Sequence, residues 1–312
     1  MYTTIAYPQG CADAGGCSTG ILSGHGMGGT GRQIIAGYSQ QLGLADQQTL
    51  SLKSEMMLTT AILPGLLFEA RVPYVVAIGN LATTAGVGDL SLALSYNISR
   101  IGKNQLWIVA GTKLKSMDSD LEKDNRGLPM IYQPSLGTND FIGGLAFDAG
   151  EWQFSAAWQH PFNANKNSYL HDPEMPDDSY SAYYESAGLK RGDDLLLRIQ
   201  RDFSFNRNSG LMAGLFPLWR LQQDEILRNG TYEKLENSSG LTLNIYLQYH
   251  SKISDYVSWY VNLGAPAITR EYRADGLTRT VVSNAGLVIS LPIPEPAKRE
   301  NNPLYDPLEN SH

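Results

Sequence analysis

The stretch Asp89-Leu-Ser-Leu-Ala-Leu-Ser-Tyr-Asn97 places Leu90, Leu92, Leu94 and Tyr96 on one face of an extended strand and Ser91, Ala93, Ser95 and Asn97 on the other. A side-chain period of two, apolar against polar, marks a strand with one greasy face and one wet face. The same rhythm recurs along the chain in segments of roughly ten residues. Ser51 to Thr59, with Leu50 before it, sets Leu50, Leu52, Met56 and Leu58 against Lys53, Glu55 and Thr59. Leu66 to Val72 sets Phe68, Ala70 and Val72 against Glu69 and Arg71. In Gln105 to Lys115, Leu106, Ile108 and Leu114 oppose Lys113 and Lys115. Trp152, Phe154, Ala156 and Trp158 oppose Gln153, Ser155 and Gln159. Leu195, Leu197 and Ile199 oppose Arg198, Gln200 and Asp202, and Leu241, Leu243, Ile245 and Leu247 oppose Thr242, Asn244 and Gln248.

Alternation alone fits a soluble sandwich as well as a barrel, because the polar face meets water in one and a lumen in the other. The connections separate them. Short turns are expected near Ser99 to Asn104, Ala149 to Glu151, Ser204 to Ser209 and Ser251 to Asp255. Long ones alternate with them, at about Ser116 to Asn139, Pro161 to Gly192, Pro217 to Gly240 and Gly264 to Arg279. Short and long connections in turn are the habit of up-and-down membrane barrels. The expected fold is all-β: a transmembrane antiparallel up-and-down β-barrel of about twelve strands. The strands centre near residues 36, 54, 69, 93, 110, 144, 156, 198, 213, 245, 260 and 286. An even number puts both termini on the periplasmic side of a bacterial outer membrane. Tyr74, Trp107, Trp152, Trp158, Trp219 and Trp259 fall near strand ends, where an aromatic girdle is expected.

The 312 residues suit one such barrel, and no linker between two cores is evident. There is no run of about twenty apolar residues, so a bilayer would be met by strands rather than a helix. A net charge of -7 and a pI near 5.3 argue against a nucleic-acid partner. Residues 1–30 form a Gly-rich N-terminal segment, 31–292 the barrel, and 293–312 a Pro-rich tail that cannot be a ladder strand. Met1 to Pro8 has no h-region, so an export signal is expected to have been removed ahead of it. Cys11 and Cys17 sit in a flexible Cys-Ala-Asp-Ala-Gly-Gly-Cys segment, and a disulfide suits the oxidising periplasm. Residues before Cys11 tell against a lipid-modified cysteine, and a metal pair lacks further ligands nearby. The N-terminal segment is expected to plug the lumen or to lie under it. The tail is read either as a disordered extension or as a peptide that docks to a partner or folds back into the barrel mouth.

Gly24-His-Gly-Met-Gly-Gly29 fits GxGxxG, yet no strand precedes it and no apolar helix follows, so it is not read as a dinucleotide site. His25, His160, His171, His250 and His312 show no ligand spacing. His171 to Asp178 carries four carboxylates that would suit calcium, although a solvated acidic loop explains them as well. With no GxSxG elbow either, the chain is not expected to be an enzyme, and no cofactor is expected.

Gln9 to Cys17, Gly127 to Gly137, Arg191-Gly-Asp-Asp194 and Asp275-Gly-Leu-Thr-Arg279 resemble a group of uncharacterised outer-membrane β-barrel proteins from Bacteroidota. Val87-Gly-Asp-Leu90 is similar to the wider superfamily of outer-membrane transporters for long-chain fatty acids and phenol degradation. The resemblance implies the fold and the outer membrane, with lipid as the surrounding partner, and no substrate.

The functional lead is the expected lumen-facing set: Lys53, Glu55, Glu69, Arg71, Lys113, Lys115, Arg198, Gln200 and Asp202. Buried charge needs partners or water. Either these residues line a wet pore that passes a small polar or amphipathic solute, or they pair across neighbouring strands and close the lumen. A closed barrel would serve as a structural or assembly subunit, with the long loops and tail as contacts for protein partners.

Overall fold

A computed structural model describes residues 33–102, 104–175, 179–277 and 279–292. The Cys11–Cys17 disulfide, the plug of residues 1–30, the tail 293–312 and part of the acidic loop lie outside them. Twelve long strands form the wall. They are β1 Gln33–Ala45, β2 Leu50–Leu63, β3 Leu66–Ile78, β4 Leu90–Ile101, β5 Asn104–Leu114 and β6 Asp140–Ala149. Then come β7 Trp152–Pro161, β8 Asp194–Ser204, β9 Ser209–Arg220, β10 Gly240–Lys252, β11 Val257–Ile268 and β12 Arg279–Pro292. Each pairs antiparallel with its sequence neighbours, and β1 pairs with β12 from Gln33↔Pro292 to Ala45↔Arg279. That last pairing closes the sheet and removes its edges. The twelve expected strands are the twelve observed.

At one end the hairpins are tight. Gly65, Gly102 and Gly150 take φ of 77°, 63° and 66° there, a left-handed backbone that glycine adopts without a Cβ penalty. Both ends of the described barrel, Gln33 and Pro292, also lie at this short-turn end. The other end carries the connections 46–49, 79–89, 115–139, 162–193, 221–239 and 269–278. Within them are a strand Thr83–Val87 that pairs with β3 and a hairpin Glu225–Arg228 with Thr231–Lys234.

Two boundaries differ from expectation. β9 continues through Pro217 to Arg220, and β11 runs on to Ile268, so the loops that follow are shorter than the sequence suggested. Pro217 leaves its mark all the same. The β8–β9 register steps from Leu196↔Leu218 to Ile199↔Leu215 and skips the two rows between, where the proline has no N–H to give.

The outer face is apolar and exposed, with Leu145 at 49%, Ile245 at 47% and Leu263 at 57%. So continuous an apolar surface is costly in water and is what a lipid-facing barrel presents. Aromatic pairs flank it. Trp152 stacks on Phe154 with centroids 6.1 Å apart near the short turns, and Phe141 meets Trp158 at 6.1 Å near the long loops. Trp107 departs from the expected girdle. It shares the strand face of Val109 and Lys113, so alternation turns it into the barrel, where it is buried.

Candidate functional site

The inner wall changes character around its circumference. From β3 to β9 it carries an apolar patch, built by Trp107, Val109, Ile142, Leu196, Phe216 and Leu218 among others, set among polar side chains such as Lys113, Gln153, Gln159 and Arg198. From β10 through β12 and on to β3 it carries amides, hydroxyls, tyrosines and charges such as Gln41, Glu55, Arg71, Gln248, Asn262 and Asn284. Strand alternation produces both, because every second residue of each strand faces inward.

The charges on β2 and β3 form one cluster. Arg71 Nη1 lies 3.1 Å from Glu55 Oε1 and its Nε donates to Glu69 Oε1 at 2.7 Å, while Lys53 Nζ lies 3.5 Å from Glu55 Oε2. Thr59 Oγ1 donates to Glu69 Oε2 at 3.3 Å. Lys113 sits nearer the long-loop end, 3.6 Å from Asp89 Oδ2. Across the lumen Arg198 is 1% exposed, its guanidinium 5.4 Å from the centre of the Phe216 ring and 5.9 Å from that of Tyr246. Gln200 donates to Gln153 Oε1 at 2.6 Å and accepts from the Tyr246 hydroxyl. Asp202 lies 3.7 Å from His250 Nε2 toward the short turns. Lys115 does not share this wall: β5 ends at Leu114, so the alternation stops before it. Its ammonium pairs instead with Asp118 in the following loop, and Lys166 binds the same carboxylate at 2.7 Å. Those two hydrogen bonds hold the Asp118 carboxyl down at about 2.

The long-loop end is filled by its own connections. Leu128, Met130, Ile131 and Tyr132 are buried there, with Tyr132 packed on Tyr169 and Tyr183 and its hydroxyl 2.9 Å from that of Tyr183. Asp89 Oδ2 accepts the backbone N–H of Leu136 at 3.1 Å, and Asp89 Oδ1 accepts the Ser135 hydroxyl. Below this segment a cavity of about 70 Å³ is bounded by charged residues such as Lys53, Asp89, Lys113 and Arg279 and by apolar ones such as Val75, Ile131 and Leu136.

Beside it lies an ionic latch. Arg220, at the end of β9, binds Asp194 Oδ1 at 2.7 Å and Asp275 Oδ2 at 2.9 Å, and also Asp224. Arg270 reaches Asp275 Oδ2 at 2.9 Å and the Ser238 carbonyl at 2.8 Å. Arg191 binds Asp140, whose Oδ2 also accepts from Gln159 at 2.5 Å. Burial by itself would raise the Asp275 carboxyl, but the guanidiniums of Arg270 and Arg220 outweigh it and hold that group below the usual range. Asp224 moves the other way. Burial raises it, Arg220 opposes, and the negative charge of Asp275 adds to the rise.

The latch residues were not in the expected set. Alternation finds residues inside strands, whereas Asp224, Arg270 and Asp275 sit in loops and Asp140, Asp194 and Arg220 at strand ends. The motifs at Val87 to Leu90, Gly127 to Gly137, Arg191 to Asp194 and Asp275 to Arg279 do coincide with this end of the barrel. Among the described residues no group of histidines, cysteines and carboxylates is arranged to hold a metal.

The fold is shared with known channels. A crystal structure of an outer membrane channel from Pseudomonas putida F1 aligns with a TM-score of 0.56 over 84% of this chain and 96% of that one, at 15% identity. KdgM porin and NanC porin align with TM-scores of 0.44 and 0.46, over 82% and 83% of this chain and 98% of each of theirs, at 9% and 8% identity. No protein-family model and no curated protein sequence matches. Identities this low speak for the barrel fold of outer-membrane channels and leave the narrower family resemblances resting on their motifs.

Proposed function

We propose that this barrel lies in a bacterial outer membrane, its long loops outside and both ends of the barrel periplasmic, and passes a small polar or amphipathic solute. The apolar belt supports the membrane setting, and barrels of this kind carry long loops outside and short turns within. The observation that carries transport is a polar-lined lumen closed at one end by loops rather than by strands. Wall strands cannot leave without breaking the ladder, but loops held by hydrogen bonds and ion pairs can be released: Asp89 holds Ser135 and Leu136 of 115–139, and Arg220 holds Asp224 of 221–239 and Asp275 of 269–278. The gate is therefore the set of loops at this mouth, 115–139 tied at Asp89 and 221–239 and 269–278 tied at Arg220, and this structure is the closed form.

Planar-bilayer recording tests this reading. Asp89→Asn and Arg220→Gln are expected to raise the open probability or conductance over the parent chain. A silent bilayer with the parent and both variants, all shown to be folded, would sink it.

A second reading has its own support: Arg71 and Arg198 fill the lumen at 1% exposure each, as a permanently closed structural subunit would have it. Loops, tail and lipid-facing wall would then be contacts for other membrane proteins. Extraction in mild detergent separates the two. Stoichiometric neighbours with no conductance favour assembly, and a solitary conducting barrel favours transport.

A further inference from the structure

Four inward-facing carboxamides stand side by side on four adjacent strands. The register pairs Gln41 on β1 with Asn284 on β12, Asn284 with Asn262 on β11, and Asn262 with Gln248 on β10. Their exposures are 1%, 2%, 1% and 0% in that order. Strands about 4.8 Å apart make this a continuous amide row about 14 Å long around the polar arc of the lumen. Oε1 of Gln41 and both polar side-chain atoms of Asn262 and of Gln248 meet no hydrogen-bond partner among the described residues. Buried amides left so cost stability, and each such group calls for an explanation.

Two tyrosines bracket the row. Tyr260 pairs with Gly286 one ladder step toward the short turns, and Tyr246 pairs with Gly264 one step toward the long loops. The Tyr260 ring packs over Gly286 and that of Tyr246 over Gly214, where a Cβ would collide with them. Glycine at these places keeps both rings flat against the wall beside the amides.

We infer that this carboxamide row is a binding track for a neutral, hydroxyl-rich solute of the sugar or polyol class. The inference rests on the transport reading above and adds the substrate class. A carboxamide donates and accepts at once and carries no charge, so a row of them matches hydroxyls, which do the same. The charges on the neighbouring β2 and β3 are already spent on one another, Arg71 with Glu55 and Glu69, and Lys53 with Glu55, and the Arg198 guanidinium on β8 lies against the Phe216 and Tyr246 rings. They leave little preference for an ion. Next along the wall, from β9 round to β6, lies the apolar patch of Phe216, Leu218, Leu196 and Ile142. Such a lumen fits a molecule with a hydroxyl edge and a hydrocarbon face, and a pyranose ring has both.

The test uses maltotriose as the neutral probe and gluconate as the charged control. Equilibrium binding is measured calorimetrically on the detergent-purified full chain, and current block is measured in bilayers. The variants are the single and triple replacements Gln41→Leu, Asn262→Leu and Gln248→Leu, each checked for the heat-modifiable gel mobility of a folded barrel. A chain lacking residues 1–30 is run beside them. Maltotriose is expected to bind, at least tenfold more weakly in the triple variant, with gluconate indifferent to all of them. Stronger, row-dependent binding after removal of residues 1–30 also supports the track, with that segment as a competitor. Equal maltotriose binding in parent and triple variant, or none in any folded form, overturns it. Conductance without row-dependent sugar binding fails the track and leaves transport standing. Binding without conductance fails transport and leaves the track.

Discussion

Arg71 is held between Glu55 and Glu69 at 1% exposure, and removing it takes the guanidinium from two buried carboxylates, leaving the Lys53 ammonium near Glu55 and the Thr59 hydroxyl on Glu69. Arg71→Ala is expected to destabilise the barrel by about 3–5 kcal/mol, read as a lower urea midpoint in lipid vesicles. Replacing Arg71→Met together with Glu69→Gln is expected to recover most of that loss, because Glu55 keeps Lys53 as its counterion and no charge is left alone. Gly286→Ala is a steric counterpart. The added methyl meets the Tyr260 ring, and a cost of about 1–3 kcal/mol in the same assay is expected. The cluster on β2 and β3 could be read in the sequence because Lys53, Glu55, Glu69 and Arg71 all fall on the polar side of an unbroken alternation. Lys115 could not be placed the same way: the rule holds only while the chain remains a strand, and nothing in its composition announces that β5 stops at Leu114. Their ring partners and register, by contrast, depend on strand order and stagger, which alternation does not carry.

The connections 221–239 and 269–278 are tied to the ends of β8 and β9 by ion pairs around Arg220, so their release should follow the chemistry of those carboxylates. The Asp275 carboxyl is depressed below its ordinary 3.8 chiefly because Arg270 and Arg220 outweigh its burial. Its contribution to the latch is thus complete above pH 3.8 and is lost as pH falls further, through the depressed value. Asp224 has the opposite sign. With a raised value, its contribution is present below its ordinary 3.8 and declines as pH rises through the raised value. Protease cleavage within 269–277 is therefore expected to stay slow at pH 5 and to quicken only in stronger acid, with an acid-stable protease as the probe. Cleavage that rises already between pH 7 and 5 would mean the latch does not rest on Asp275. None of this was legible beforehand. Each latch residue is an ordinary charged residue at a strand end or in a loop, and only the packing of the connections 221–239 and 269–278 against the ends of β8 and β9 brings Asp194, Asp224, Arg270 and Asp275 around Arg220.

The wall as a whole was legible because a membrane barrel repeats one rule twelve times, and an error in any single strand leaves the count intact. Its outward face supports a direct test. Leu145, 49% exposed within β6, is expected to cost about 2–4 kcal/mol as Leu145→Arg if it lies near the bilayer midplane, and less toward either rim. Folding into vesicles, followed by gel mobility, measures this, and no penalty would place Leu145 outside the hydrocarbon. Only the β1–β12 seam joins segments from opposite ends of the described chain, from Gln33↔Pro292 to Ala45↔Arg279. Every other wall pairing joins neighbours in sequence and can form as soon as both have emerged. Assembly should accordingly proceed hairpin by hairpin and then wait, with the first strand's edge open to any other strand, until the last is delivered. The slowest step, and the one most exposed to aggregation or to capture by an insertion machine, is the meeting of those two strands.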